Sequence, residues 1–329
     1  MRSRLTLAAA LLAATALLAG CGKSTPNSPV AGGAGSGNAL DRAAVASVVA
    51  TQPEVVEDGQ FEATDASSLA IGGGAGLAAT PSSALAAIQP LRFWRVIRDV
   101  DRSFEFAFSD SDSTGRPTTA IVTVHKLLTG RFDILTGVPG SDSTAIDSTL
   151  QVLHKPLADH WVRRILLKRV MSADSTLNPW RVVATSAVKV TSRNAATQIV
   201  SLRVQTATLD TTITTPLAFF RLRGIPELEP GAPVTLTVTT LRNDDVVVLT
   251  RVGHRFRFHN NGDDTYTGVW TLPDFRLETA ALSLRPRIFH FGVNALSNGT
   301  LFDDTAAYDS QAWILPVVLK PDQIADALP

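Results

Sequence analysis

The chain of 329 residues carries a single cysteine, at position 21. One thiol excludes an internal disulfide and any cysteine-based metal cage. Charge is scarce as well: Asp, Glu, Lys and Arg make up 18%, with 30 basic residues against 30 acidic ones. A balanced chain without a basic stripe has no electrostatic footprint for nucleic acid, so no nucleic-acid partner is expected. It also lacks an obvious patch for anionic lipid. No apolar run approaches the roughly 20 residues that a membrane-spanning helix needs. His-Glu-x-x-His, a Gly-x-Ser-x-Gly elbow and a phosphate-binding glycine loop ending in Lys-Ser/Thr are all missing. What the chain does have is 45% hydrophobic residues and a length suited to two domains.

Residues 1–20 have a recognisable layout. Arg2 and Arg4 precede a run from Leu5 to Leu18 in which only Thr6 and Thr15 are polar, and small residues close it at Ala19-Gly20. A basic start, a short apolar run and small residues before a cut site form a secretory signal. Leu18-Ala19-Gly20-Cys21 resembles the lipobox of bacterial lipoproteins. That resemblance implies that Cys21 is acylated and becomes the first mature residue, with palmitate-type chains inserted in a membrane. Each acyl CH₂ contributes about 0.8 kcal/mol to such partitioning. Gly22 follows where an Asp favours inner-membrane retention in well-studied Gram-negative lipoproteins, so the resemblance leans to the outer membrane over the inner. Residues 22–38 are rich in Gly, Ser and Pro and read as a flexible linker.

Residues 39–195 read as an α+β domain. A helix is expected from Ala39 to Val49, with Asn38 as N-cap and Leu40, Ala44, Val45 and Val48 on one face. Residues 62–89, with Gly72-Gly73-Gly74 in the middle, read as an irregular loop. Phe104, Phe106 and Phe108 alternate with Glu105 and Ala107, and a polar turn leads to a second strand over 119–128, so a hairpin is expected. Asp-Ser-Thr recurs at 112–114, 142–144, 147–149 and 174–176 between apolar runs, which is turn punctuation. Residues 158–171 suit either a helix face or a strand; the β-branched segment 180–188 beyond a polar turn favours a strand paired with it. An early helix followed by long antiparallel strands that end in Trp180-Arg181-Val182-Val183 resembles the NTF2-like cone in layout. That fold implies a concave face serving as a ligand pocket.

Residues 196–320 read as an all-β sandwich. Strands are expected at 199–204, 234–239, 246–251, 255–258, 266–271, 288–293 and 313–318, with turn signals between them. Glu229-Pro230-Gly231-Ala232-Pro233 before Val234–Thr239, and Asn261–Pro273 with its Thr265-Tyr266, resemble strands of bacterial immunoglobulin-like domains. Asp264 stands where that pattern has Gly. Tyr266 and Trp270 are read as core residues. Residues 321–329 form a C-terminal tail.

The candidate chemistry is sparse. Asp110, Asp112, Thr114 and Gly115 start like a calcium loop, but Ile121 occupies the position that needs a carboxylate, so a hairpin turn is expected. Asp263-Asp264 and Asp303-Asp304 are acidic pairs read as solvated turns. His125, His154, His160, His254, His259 and His290 show no close metal spacing, and His254 and His259 are expected on opposite faces of a hairpin. Gly32–Gly37 and Gly72–Gly76 are read as linkers. The expectation is therefore no catalytic residue, no cofactor and no metal ligand, with Cys21 as the one modified site. The expected role is binding, adhesion or envelope organisation, through a membrane anchor and a protein or glycan partner. An envelope enzyme, or a small-ligand-binding protein using a pocket in residues 39–195, is the alternative.

Overall fold

The structure is a computed structural model that describes residues 39–52, 69–70, 88–137, 150–170, 178–194, 196–229, 231–251, 254–271 and 287–319. The leader, Cys21, the linker, most of loop 62–89 and the C-terminal tail lie outside the described residues. The architecture is mainly β, and its long strands follow from alternation. In the strand β4 (Leu150–Arg169), residues 155 to 167 are buried at every second position. A sheet with one covered face imposes this period of two.

Before it come the helix α1 (Ala39–Ala50) and the strands β1 (Leu69–Ala70), β2 (Gln89–Ser111) and β3 (Pro117–Gly137). β5 (Trp180–Ser192) follows. The expected hairpin is present and longer than its local signal, with β2 and β3 paired from Gln89–Gly137 to Ser111–Pro117. Segment 158–171 is strand up to Arg169 and pairs with β5.

The second half supplies β6 (Ile199–Gln205), β7 (Asp210–Ile213), β8 (Phe219–Arg221), β9 (Glu227–Leu228), β10 (Pro233–Thr240) and β11 (Val246–Arg251). β12 (His254–Arg257), β13 (His259–Asn260), β14 (Thr265–Thr271), β15 (Arg287–Leu296), the short helix α2 (Asn298–Phe302) and β16 (Ser310–Leu319) complete it.

Two sheets result among the described residues. The larger runs β1-β2-β3-β4-β5-β16-β15-β11-β12, with β8 and β9 attached to β5 and β16; the smaller runs β13-β14-β10-β6-β7. They pack face to face over a shared core. Leu202, Val204, Val234, Leu236, Val238, Tyr266 and Trp270 come from the small sheet, and Val247, Leu249, Phe291, Val293, Trp313, Leu315 and Val317 from the large one. Tyr266 and Trp270 are core residues, and burying each ring contributes about 2–3 kcal/mol. Gly268 lies between them in the strand. A Cβ there would sit 2.8 Å from the rings of Phe256 and Phe258, so the missing side chain makes room for that stacked pair.

The chain crosses from β5 to β6 at residues 193–198, where the sequence predicts a domain boundary. The segments on either side of it share one sheet, because β5 pairs with β16 through Val188–Ile314 to Thr191–Gln311. Buried Asp309 holds the crossing, accepting from Ser192 Oγ, Thr197 N and Thr197 Oγ1, each at 3.0 Å. Gln311 accepts from Ile199 N at 2.9 Å.

The NTF2-like α+β cone expected for residues 39–195 is corrected by this arrangement. The described part contains one helix and four long strands, and the sheet continues into the C-terminal strands instead of closing on itself. α1 is turned differently from the expected face as well. Leu40 is exposed, whereas Asp41, Val45, Val48 and Val49 are buried. An ion pair from Asp41 to Arg169 draws the acidic side chain inward.

The large sheet is curled. Register shifts interrupt β2 between Pro90 and Arg92 and between Ile97 and Asp99, and interrupt the β4–β5 ladder twice. Such bulges bend and twist a strand. Gly130 accommodates one of them, since a Cβ there would lie 2.0 Å from the Val96 carbonyl oxygen. The curl has a measurable consequence. β2 and β11 stand six strands apart, roughly 28 Å in a flat sheet, yet Phe93, Phe132 and Ile134 gather in one apolar cluster with Val246 and Val248. The β15–β16 connection packs into this trough, with Tyr308 5.0 Å from the Phe132 ring and Ile88 N bonded to Phe302 O.

Candidate functional site

The concave face of the curled sheet carries two apolar clusters. One lies under α1, around Val45, Val122, Trp161, Trp180 and Ile314; the other lies under α2, around Phe93, Phe132, Leu301 and Tyr308. Between them runs a belt of buried charge. Inward-facing positions of β2, β3 and β4 place Arg95, Lys126, Asp159 and Arg163 there, Asp159 and both Lys126 and Arg163 with no exposed surface. The Lys126 Nζ stands 4.2 Å from the Trp161 ring centroid and the Arg163 guanidinium 5.4 Å from it. Cations over an indole face are attracted by its quadrupole.

Asp159 is the centre of the belt. Its Oδ2 accepts from Arg95 Nη1 at 3.3 Å and from Tyr308 Oη at 3.2 Å, and Ser310 Oγ donates to Tyr308 Oη at 2.6 Å. Burial pushes its carboxyl up to about 6 against the opposing pull of Arg95 and of the Tyr308 bond. The group therefore changes charge near neutrality. Asp159 Oδ1, Trp161 Nε1 and Asn294 Oδ1 are buried without a hydrogen-bond partner among the described residues. The register puts Trp161 opposite Val190, Val190 opposite Ala312 and Ala312 opposite Asn294. An orphan donor and an orphan acceptor thus flank two small side chains in a single cross-strand row. Buried polar atoms left this way cost free energy until water or a polar ligand meets them.

The opposite face of β2–β4 is open. Beyond the edge of the small sheet it presents Asp101, Ser103, Glu105, Leu127, His154 and His160 to solvent. Two groups of titratable side chains form there. Asp133, itself buried, accepts from Arg131 Nε at 3.0 Å and bonds His154 Nδ1 at 2.7 Å. Farther along, His125 Nδ1 lies 3.2 Å from His160 Nε2, and Glu105 Oε2 lies 3.5 Å from the other nitrogen of His125. Partial burial and the neighbouring His125 hold His160 below the usual imidazole range.

Several of the other residues singled out in the sequence have local jobs. Asp112 Oδ1 accepts from Thr114 N, Thr114 Oγ1 and Arg116 N, so that carboxylate closes the hairpin turn, and Asp110 takes a positive φ beside it. Asp263 bonds Thr265, and Asp264 adopts φ 63°, the left-handed conformation for which the related pattern uses Gly. Asp303 Oδ1 accepts from Thr305 N, Thr305 Oγ1 and Ala306 N. Its backbone oxygen accepts from Lys155 Nζ at 2.6 Å, and Gly299 O accepts from the same ammonium at 3.0 Å. The side chain of His254 lies outside the described residues.

Among the described residues, no three His, Cys, Asp or Glu side chains are grouped to hold a metal ion, and no helix is long and apolar enough to cross a membrane. Neither a family model, nor a curated protein, nor a solved structure matches the chain.

Proposed function

We propose that the protein is a lipoprotein exported to the bacterial cell envelope, anchored by lipid on Cys21, and that it works there by binding and not by catalysis. The observation that carries this is the coincidence at residues 1–21 of a basic start, an apolar run too short to span a bilayer, Leu-Ala-Gly and the only thiol. Gly22 favours the outer membrane over the inner. Residues 196–320 are read as an immunoglobulin-like module; the two-sheet packing around Val234–Val238 and Tyr266–Trp270 supports that. The open face of β2–β4 is the natural surface for a protein or glycan partner. The test is Cys21→Ser. Wild type should take up a labelled palmitate analogue and sediment with membranes, and the variant should do neither. Equal sedimentation of the two proteins would dismiss the anchor.

The orphaned buried atoms favour a second reading, binding of a small ligand with a polar group for Asp159 Oδ1 or Trp161 Nε1 on β4. Native mass spectrometry should then show a mass above that of the same preparation measured under denaturing conditions, and Trp161→Phe should lose the difference. Equal native and denatured masses in wild type would reject that reading and leave the anchor standing.

A further inference from the structure

We propose that Trp94, Arg131 and His154 form a binding site for one sugar ring of a glycan, on the open face of β2–β4. The site rests on the reading of that face as a binding surface. Trp94 stands directly opposite Asp133, and Asp133 directly opposite His154, in one row across three strands. Directly opposed residues share a face of the sheet. The neighbouring pair, Phe93 and Ile134, is buried in the apolar cluster of the trough, so Trp94, Asp133 and His154 lie on the open side. Asp133 anchors the group. Its side chain is 1% exposed, whereas those of Arg131 and His154 are 39% and 53% exposed. Arg131 Nε donates to Asp133 Oδ2 at 3.0 Å, and His154 Nδ1 bonds Oδ1 at 2.7 Å. One buried carboxylate thus fixes two side chains that reach into solvent.

The groups left facing outward form a mixed set. A carboxylate only accepts, so it takes the Nδ1 proton of His154 and leaves the Nε2 lone pair outward when the ring is neutral. Among the described residues nothing bonds that Nε2 or the Nη atoms of Arg131. Trp94 is half-buried, with the rest of its indole in solvent. A pyranose ring matches all three side chains. It offers a face of C–H groups to the indole and a rim of hydroxyls that both donate and accept. One hydroxyl donates to His154 Nε2 and a neighbouring one accepts from Arg131. A purely anionic ligand would leave the indole unused and meet Asp133 as a like charge. A purely apolar one would strip water from the guanidinium and the imidazole and put nothing in its place.

Saturation-transfer NMR of the purified full chain tests this, with methyl glucoside, methyl galactoside and N-acetylglucosamine as probes. Wild type should transfer saturation to at least one of them, most strongly to the C–H protons of one ring face. Trp94→Ala should weaken binding by about tenfold or more, and Arg131→Met and His154→Ala by roughly three- to tenfold each. Leu127→Lys, at an exposed position farther along the same face, should bind as wild type. The exchanged side chains are exposed or half-buried, so unchanged circular dichroism will show that the variants fold. No transfer from wild type to any of the three sugars would overturn the site and leave the face to a protein partner. Transfer lost in Leu127→Lys but kept in Trp94→Ala would put the sugar elsewhere on the face and overturn the site alone. Transfer kept at full strength in both would remove the face as well.

Discussion

Single atoms decide several of the contacts that hold this chain in shape. Gly130 lies under the Val96 carbonyl oxygen, where a Cβ has no room and the obstacle is backbone. Gly130→Ala should therefore cost about 3 kcal/mol, the upper end for overpacking, read as a lower urea midpoint with an unchanged slope. Gly268→Ala meets ring atoms that can shift, so its cost should be nearer 1–2 kcal/mol. Asp309 satisfies three buried donors at the sheet crossing, and Asp309→Ala should cost about 3–5 kcal/mol. Asp159 governs a pH effect. Its folded carboxyl titrates near 6, above the value of 3.8 for the free group. Between those values the folded chain holds a proton that the unfolded chain has released. The stability due to this group is complete below about pH 4 and is lost as pH rises through 6. Asp159→Asn should flatten the stability profile between pH 4 and 7 by roughly 1–3 kcal/mol. Parallel profiles for variant and wild type would contradict this.

At the level of elements, the Lys155 ammonium on β4 is one of the ties on the connection between β15 and β16. Lys155 Nζ bonds Asp303 O just beyond α2 and Gly299 O within it, the latter also accepting from Asp303 N. Burial lowers Lys155 to about 8 against the pull of Asp303 and Asp304. Lys155→Met should speed amide exchange across residues 297–309 while leaving the small sheet protected, and uniform exchange rates would argue against a local role. Strands were legible wherever alternation was clean, as in Val234-Thr235-Leu236-Thr237-Val238, because burial of one face writes that period directly. The β2–β3 hairpin could be seen at Phe104–Phe108, but not its extension back to Gln89, where Arg and Asp interrupt the apolar pattern. The contact between His125 and His160 could not be read at all. Glu105, His125 and His160 are separated by 20 and 35 residues, and only the registers of two ladders bring them together. The same holds for the belt: Arg95, Lys126, Asp159 and Arg163 look like ordinary surface charges until the curl encloses them.

For the whole molecule, the β5–β16 ladder makes one sheet of segments that composition and turn signals divide at residue 195. Unfolding should accordingly be a single transition, with tryptophan fluorescence and far-ultraviolet circular dichroism coinciding; Trp161 and Trp180 report on the first half, Trp270 and Trp313 on the second. Two separated transitions would show that the ladder does not couple them. Sequence patterns describe neighbours along the chain, and this pairing joins residues 120 to 126 positions apart, so no local signal could announce it.

The strand that joins the halves comes after all the others among the described residues. Until Ser310–Leu319 leaves the ribosome, β5 and β15 each lack one of their neighbours and the crossing lacks Asp309 and Gln311. A nascent chain would stay loosely structured until that strand emerges. A stop codon a few residues before 310 would leave two open edges in place of one finished sheet.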